Sequence, residues 1–201
     1  MTKVKICGLM RSEDVQAVNE YLPDYIGLIF APSRRRLSLE KAKALCKALS
    51  TGIQRVGVFV NEEPGVMMHI KRECGLDVLQ IYQDEPKELA ALEGEIWRGI
   101  RVKDEASLNA VGKLKADAYL LDAYSSAAYG GVGETFNWVL AQKAAALADI
   151  VLAGGLTPEN VEAAILAVSP YAVDVSSGVE TDGQKDAEKI RNFIDRARRE
   201  R

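Results

Sequence analysis

The sequence predicts an α/β chain folded as a single (β/α)8 TIM barrel of near-minimal size, and three observations predict it. Eight short apolar runs alternate with helix-like segments from one end of the chain to the other: Lys3–Cys7, Tyr25–Phe30, Gln54–Val60, Asp77–Tyr82, Glu95–Val102, Ala118–Asp122, Asp149–Ala153 and Ala172–Val175. The last two runs are each followed by a Gly/Ser turn, whose backbone N–H groups can approach a ligand with no side chain in the way. Finally, 201 residues shared among eight units leave about 25 each, room for a strand, a helix and their turns but for no added domain. Residues 1–201 are therefore expected to form one barrel domain.

Each element has its own local reason. In the first run Lys5 and Cys7 share a face, roughly 6–7 Å apart along the backbone, while Val4 and Ile6 take the other face, against the helices. The helix of the second unit carries Ala42, Leu45, Cys46 and Leu49 at helical spacing, one buried stripe. The third helix holds His69 on what reads as its surface and stops at Gly75. After the sixth run comes the longest connection, Ala123–Gly133, expected to act as a lid over the substrate. The seventh run leads into Gly154-Gly155. Beyond it Thr157-Pro158-Glu159 reads as a helix start, with Thr as N-cap and Pro in the first turn, ahead of the stripe Val161, Ala164, Ile165, Val168. In the eighth run Val173 and Val175 suit the helix layer, so Asp174 points inward, as Lys5 does. Strand eight closes against strand one, and the two side chains are expected to pair within about 4 Å. Ser177-Gly178 follows, and then the stripe Ile190, Phe193, Ile194, Ala197.

Composition excludes several classes of function. A net charge of −3 gives no field for nucleic acid or an anionic membrane, and the one basic run, Arg34-Arg35-Arg36, is too short for either. No apolar stretch reaches the roughly 20 residues that cross a bilayer, and no signal peptide is evident. Three widely spaced cysteines predict reduced thiols and a cytoplasmic location. A single histidine rules out a histidine-rich metal site.

Active sites of this fold lie at the C-terminal ends of the strands, where this chain places Cys7, Tyr82, Asp122 and the two turns. A free cysteine is ordinarily a small buried hydrophobe, which suits Cys46 and Cys74. Cys7 differs because the Lys5 ammonium on its own face favours thiolate, making it a candidate general base near neutral pH. Asp122 closes an apolar strand, where desolvation favours the protonated form that a general acid needs. The turns at Gly154, Gly155, Ser177 and Gly178 contain no Lys or Arg, so a phosphate there would be held by amides and helix dipoles. The arginines after the second strand suit a planar carboxylate.

Taken together, Lys5-Ile6-Cys7-Gly8, Gly27-Leu28-Ile29-Phe30, Val56 to Asn61, Leu121-Asp122, Gly130 to Phe136, Ala153 to Leu156 and Val173 to Glu180 resemble the phosphoribosylanthranilate isomerase family of tryptophan biosynthesis, over nearly the whole chain. The resemblance implies an intramolecular oxidoreductase, an aldose–ketose isomerase. It would perform an Amadori rearrangement of a small phosphorylated substrate without cofactor or metal, as a monomer or a homodimer. By residue, it implies Asp122 as the acid that protonates the ribose ring oxygen and Cys7 as the base that removes the C2 proton. Lys5, Gln80, Tyr82 and Asp174 would meet the substrate, and Arg35, with Arg36 in competition, would take the anthranilate carboxylate. This chain departs from the family at Tyr82-Gln83, where many members carry His-Gly, and at Glu134 and Asn137 in the Gly-rich loop. The alternatives are a related histidine-pathway Amadori isomerase, which would carry a pair of aspartates, and a catalytically altered barrel that only binds phosphorylated sugars.

Overall fold

The computed structural model describes residues 1–82, 92–113, 115–123 and 138–199. Its eight strands are β1 (Lys3–Cys7), β2 (Tyr25–Ile29), β3 (Gln54–Phe59), β4 (Val78–Ile81), β5 (Glu95–Val102), β6 (Ala118–Ala123), β7 (Ile150–Leu152) and β8 (Ala172–Val175). They pair in parallel in sequence order, and β8 returns to β1 to close the barrel. The expected strands differ from these only at their ends. Backbone bonds run past the assigned ends, as from Tyr82 N to Phe59 O and from Ala153 N to Leu121 O, so the flanking residues still belong to the wall.

Around the sheet lie α1 (Ser12–Tyr21), α2 (Leu39–Ala48), α3 (Pro64–Cys74), α4 (Trp138–Ala145), α5 (Val161–Val168) and α6 (Ala187–Ala197). The three expected stripes on α2, α5 and α6 are buried. Ser38 caps α2 by accepting from Lys41 N, Asp186 caps α6, and Gly75 ends α3 in a left-handed conformation. His69 is exposed, and Cys46 and Cys74 are buried free thiols.

Two helix expectations are corrected. The segment after β5 is a 3-10 helix at Glu105–Ala110, not an α-helix: Asp104 and Ser107 cap each other at its start, and Gly112, at φ +74°, turns the chain away soon after its end. Helix α5 begins at Val161 rather than beside Thr157. The Asn160 amide ties Thr157 N to Gly155 O and holds 158–160 as a separate turn, within which Thr157 Oγ1 still accepts from Glu159 N. The helix expected after β4 and nearly all of the expected lid fall outside the described residues.

The period-2 alternation of the strands divides the core in two. Outward residues such as Val4, Ile6, Val173 and Val175 pack against helices, while Tyr25, Val56, Trp97, Leu120 and Val151 fill the barrel interior. Among those apolar groups lie two charges in one register pair, Lys5 and Asp174. Lys5 Nζ donates to Asp174 Oδ1 at 3.0 Å, and the lysine has no exposed surface. Burial opposes the ammonium, but Asp174 and then Cys7 outweigh it and hold Lys5 above the usual lysine range. At the N-terminal end Lys3 Nζ donates to the hydroxyls of Tyr25 and Tyr171 at 3.1 and 2.7 Å, closing the floor.

Breaking a buried pair leaves one charge uncompensated, at a cost of about 3–5 kcal/mol. Asp174→Asn should therefore lower the urea unfolding midpoint by the amount corresponding to that loss. An unchanged midpoint would show that the pair contributes nothing to stability.

Candidate functional site

At the C-terminal ends of the strands a cleft opens whose walls include Cys7, Arg35, Tyr82, Arg101, Asp122 and Asp174, with both Gly/Ser turns at one side. Cys7 ends β1 and is 6% exposed. Gly27 in β2 makes room for it: a Cβ there would lie 2.5 Å from Cys7 Sγ. Burial pushes the Cys7 thiol up, and Lys5, pulling it down, does not cancel that effect because Asp174 neutralises the ammonium. The expectation of a thiolate near neutral pH is thus corrected for the free protein: sequence shows the charge on the neighbouring position but not the desolvation around both.

Asp122, on β6, pairs in register with Arg101 on β5. Tyr82 lies just beyond β4 with its ring 5.8 Å from the Arg101 guanidinium. Gln80 Nε2 donates to the Tyr82 hydroxyl at 3.2 Å, while its Oε1, buried against the cleft, finds no partner among the described residues. Burial, reinforced by the charges of Asp122 and Asp174, raises Tyr82 well above the usual phenol range.

The two turns meet edge to edge. Gly154 and Gly155 adopt φ of +82° and +69°, which other residues seldom reach. Gly178 leaves no room for a side chain, since a Cβ there would lie 1.9 Å from Leu156 O. Ser177 joins these glycines in lining the cleft.

The arginine run resolves into three different fates. Arg35 is 7% exposed and lines the cleft, whereas Arg36 forms a parallel bridge with Ile29 and is exposed, beside a groove between α2 and α3. Arg36 is therefore corrected as a site residue: it does not line the cleft, and its exposed side chain borders the separate groove between α2 and α3. Arg34 reaches over to Glu180. Lys5 is also corrected, because it lies beneath the site and does not line it.

Three groups escaped sequence reasoning. Arg101 was legible as the inward residue near the end of the fifth strand. Glu180 and Lys185 face each other across a ribbon, β9 (Glu180–Thr181) against β10 (Gln184–Lys185), turned by Asp182 and Gly183. Both turn residues have positive φ, 51° and 76°, and the Asp-Gly dipeptide is the sequence signal for that hairpin.

A family model described as N-(5'-phosphoribosyl)anthranilate (PRA) isomerase matches residues 4–196. The N-(5'-phosphoribosyl)anthranilate isomerase of Acetivibrio thermocellus is 50% identical, covering 98% of this chain and 96% of its own. The crystal structure of phosphoribosyl anthranilate isomerase from Thermotoga maritima superposes with a TM-score of 0.90 at 38% identity, covering 98% of both chains. A phosphoribosyl anthranilate isomerase in complex with reduced 1-(o-carboxyphenylamino)-1-deoxyribulose 5-phosphate superposes with a TM-score of 0.86 at 36% identity, again over 98% of each.

The geometry around Cys7 makes a direct prediction. Its alkylation by iodoacetamide in the free protein, followed by peptide mass spectrometry, should accelerate with pH to a midpoint above the usual thiol value of about 8.5. A rate that levels off near neutral pH would contradict the dominance of burial.

Proposed function

The chain belongs to the N-(5'-phosphoribosyl)anthranilate isomerase family, an aldose–ketose isomerase of tryptophan biosynthesis, and we propose that Cys7 and Asp122 carry out its acid–base chemistry. The observation that supports this assignment is that both side chains line one cleft, with Arg35 and the two Gly/Ser turns beside them. In this reading the 5-phosphate is held by backbone amides of the turns at Gly154-Gly155 and Ser177-Gly178, and the anthranilate carboxylate by Arg35. The bound analogue named for one solved relative carries both anions.

Asp122 gives its proton to the ribose ring oxygen. The C1–O bond breaks, the ring opens, and the nitrogen lone pair forms an iminium at C1. As the iminium forms, the Cys7 thiol releases its proton to solvent and the resulting thiolate takes the proton from C2. The C2–H electron pair becomes the C1–C2 double bond while the iminium π pair returns to nitrogen, giving an enolamine that tautomerises to the ketone. The iminium supplies the positive charge that the buried thiol lacks in the free protein, favouring thiolate at the step that needs it. Gln80 Oε1, which has no hydrogen-bond partner among the described residues, is placed to receive a substrate hydroxyl or N–H.

General acid or base catalysis is typically worth about 10²–10⁴-fold. Cys7→Ala and Asp122→Ala should each lose turnover of the anthranilate ribotide by at least the lower figure while keeping the far-ultraviolet spectrum of the parent. Near-normal turnover by either variant would remove that residue from its role. Crystals soaked in sulfate should hold the anion between the two turns; an anion bound only at Arg34–Arg36 would contradict the phosphate assignment.

A further inference from the structure

We propose that Glu180 is a positioning residue that makes the enzyme selective for a ring carboxylate, by holding the Arg35 guanidinium in one orientation at the edge of the cleft. The proposal rests on the reading that Arg35 receives that carboxylate.

Glu180 does not line the cleft; it lies behind Arg35 with its side chain 5% exposed. One oxygen accepts from Arg35 Nε at 2.8 Å and from Lys185 Nζ at 2.8 Å. The other accepts from Arg35 Nη2 at 3.0 Å and from Arg34 Nη2 at 2.7 Å. The two-point contact fixes the plane of the guanidinium and uses one edge of its fork. Its remaining terminal nitrogen, Nη1, has no partner among the described residues. The arm is fixed as well as the head. Arg35 Cδ crosses Gly8 so closely that a Cβ there, already disfavoured at φ +82°, would lie 2.6 Å away.

The same carboxylate links the arginine to the catalytic strand. Lys185 Nζ also donates to Ser176 O at 2.9 Å, and Ser176 Oγ donates to Cys7 O at 3.1 Å. Arg35 and Cys7 thus share one frame. The charges suit an anionic ligand. Buried Arg35 and Lys185 face the single buried carboxylate of Glu180, which leaves a positive excess beside the cleft. Burial works against the Glu180 carboxylate, but Arg35 and Lys185 outweigh it and hold it below the usual carboxylate range. Burial pulls the Lys185 ammonium below the usual lysine range in spite of Glu180. An arginine released from this clamp would have to give up its rotamer freedom on binding, and that loss would fall only on ligands that use it.

The test is calorimetric titration of parent, Glu180→Gln, Glu180→Asp and Arg35→Met with two ligands. One is reduced 1-(o-carboxyphenylamino)-1-deoxyribulose 5-phosphate; the other is its counterpart whose ring lacks the carboxylate. Glu180→Gln should weaken the carboxylated ligand about tenfold or more and the other less than about twofold, the scale of one charged hydrogen bond. Glu180→Asp, whose shorter arm cannot span Arg35 and Lys185 together, should show a smaller loss with the same selectivity, and it decides the matter if Glu180→Gln fails to fold. Equal weakening of both ligands, or no weakening of the carboxylated one, would overturn the proposal. A selective loss in Arg35→Met without one at Glu180 overturns this inference alone. A loss in Arg35→Met that ignores the carboxylate overturns the reading on which it rests.

Discussion

The register that brings β8 back onto β1 sets Lys5 opposite Asp174, and the architecture of the site depends on that one closure. A sheet closed into a barrel has no edge and only one inward face, so every second residue of each strand is committed to the interior. A charge on that face without a counter-charge would carry a large desolvation penalty. Lys5 and Asp174 meet at 3.0 Å and make the inward face tolerable. Their pairing also determines what Cys7, one pleat above Lys5, experiences. It stands over a neutralised pair instead of a bare ammonium, so desolvation decides its proton.

Charge is then distributed unevenly around the cleft. Beneath Cys7 the pair is balanced, while to one side Arg35 and Lys185 outnumber Glu180. The turns at Gly154-Gly155 and Ser177-Gly178 contribute no charged side chain. A substrate with a phosphate at one end and a carboxylate at the other suits this division, with its uncharged sugar between the two anion sites. A thiol kept protonated in the free protein is protected from oxidation, which attacks thiolates. In the proposed mechanism it loses its proton and becomes a base when a cation forms beside it.

Much of this was legible from local pattern. Strand alternation placed Lys5, Cys7 and Asp174 inward, because a side-chain period of two leaves no other choice in a wall whose other face meets helices, and Asp122 stood out as the residue that closes its apolar strand. The two turns were legible because glycine there answers a backbone need that no other residue meets easily. Three consecutive arginines could not be separated, because what distinguishes them is tertiary: Arg34 and Arg35 meet Glu180, some 145 residues further along the chain, and Arg36 does not. The proton on Cys7 could not be read because charge proximity is visible in a sequence and dehydration is not. The Glu180–Lys185 ribbon was missed for a different reason: its strands have two residues each, too short for any periodicity to register, and only the Asp-Gly turn announces it.

The departure at Tyr82 bears on where the acid must reside. A histidine at that position would titrate close to neutral pH and could compete for the proton that the ring oxygen needs. Tyr82 cannot. Burial and the neighbouring charges of Asp122 and Asp174 keep its hydroxyl protonated far above neutral pH, and Gln80 donates to its oxygen. Its hydroxyl is left as a hydrogen-bond donor of fixed protonation, and its ring as a surface facing the Arg101 guanidinium. On the proposed mechanism, exchange of a titrating group for a neutral one leaves proton delivery to Asp122, which lies across the register from Arg101. On that mechanism the substitution narrows the pathway of the proton without removing Cys7 or Asp122 from it.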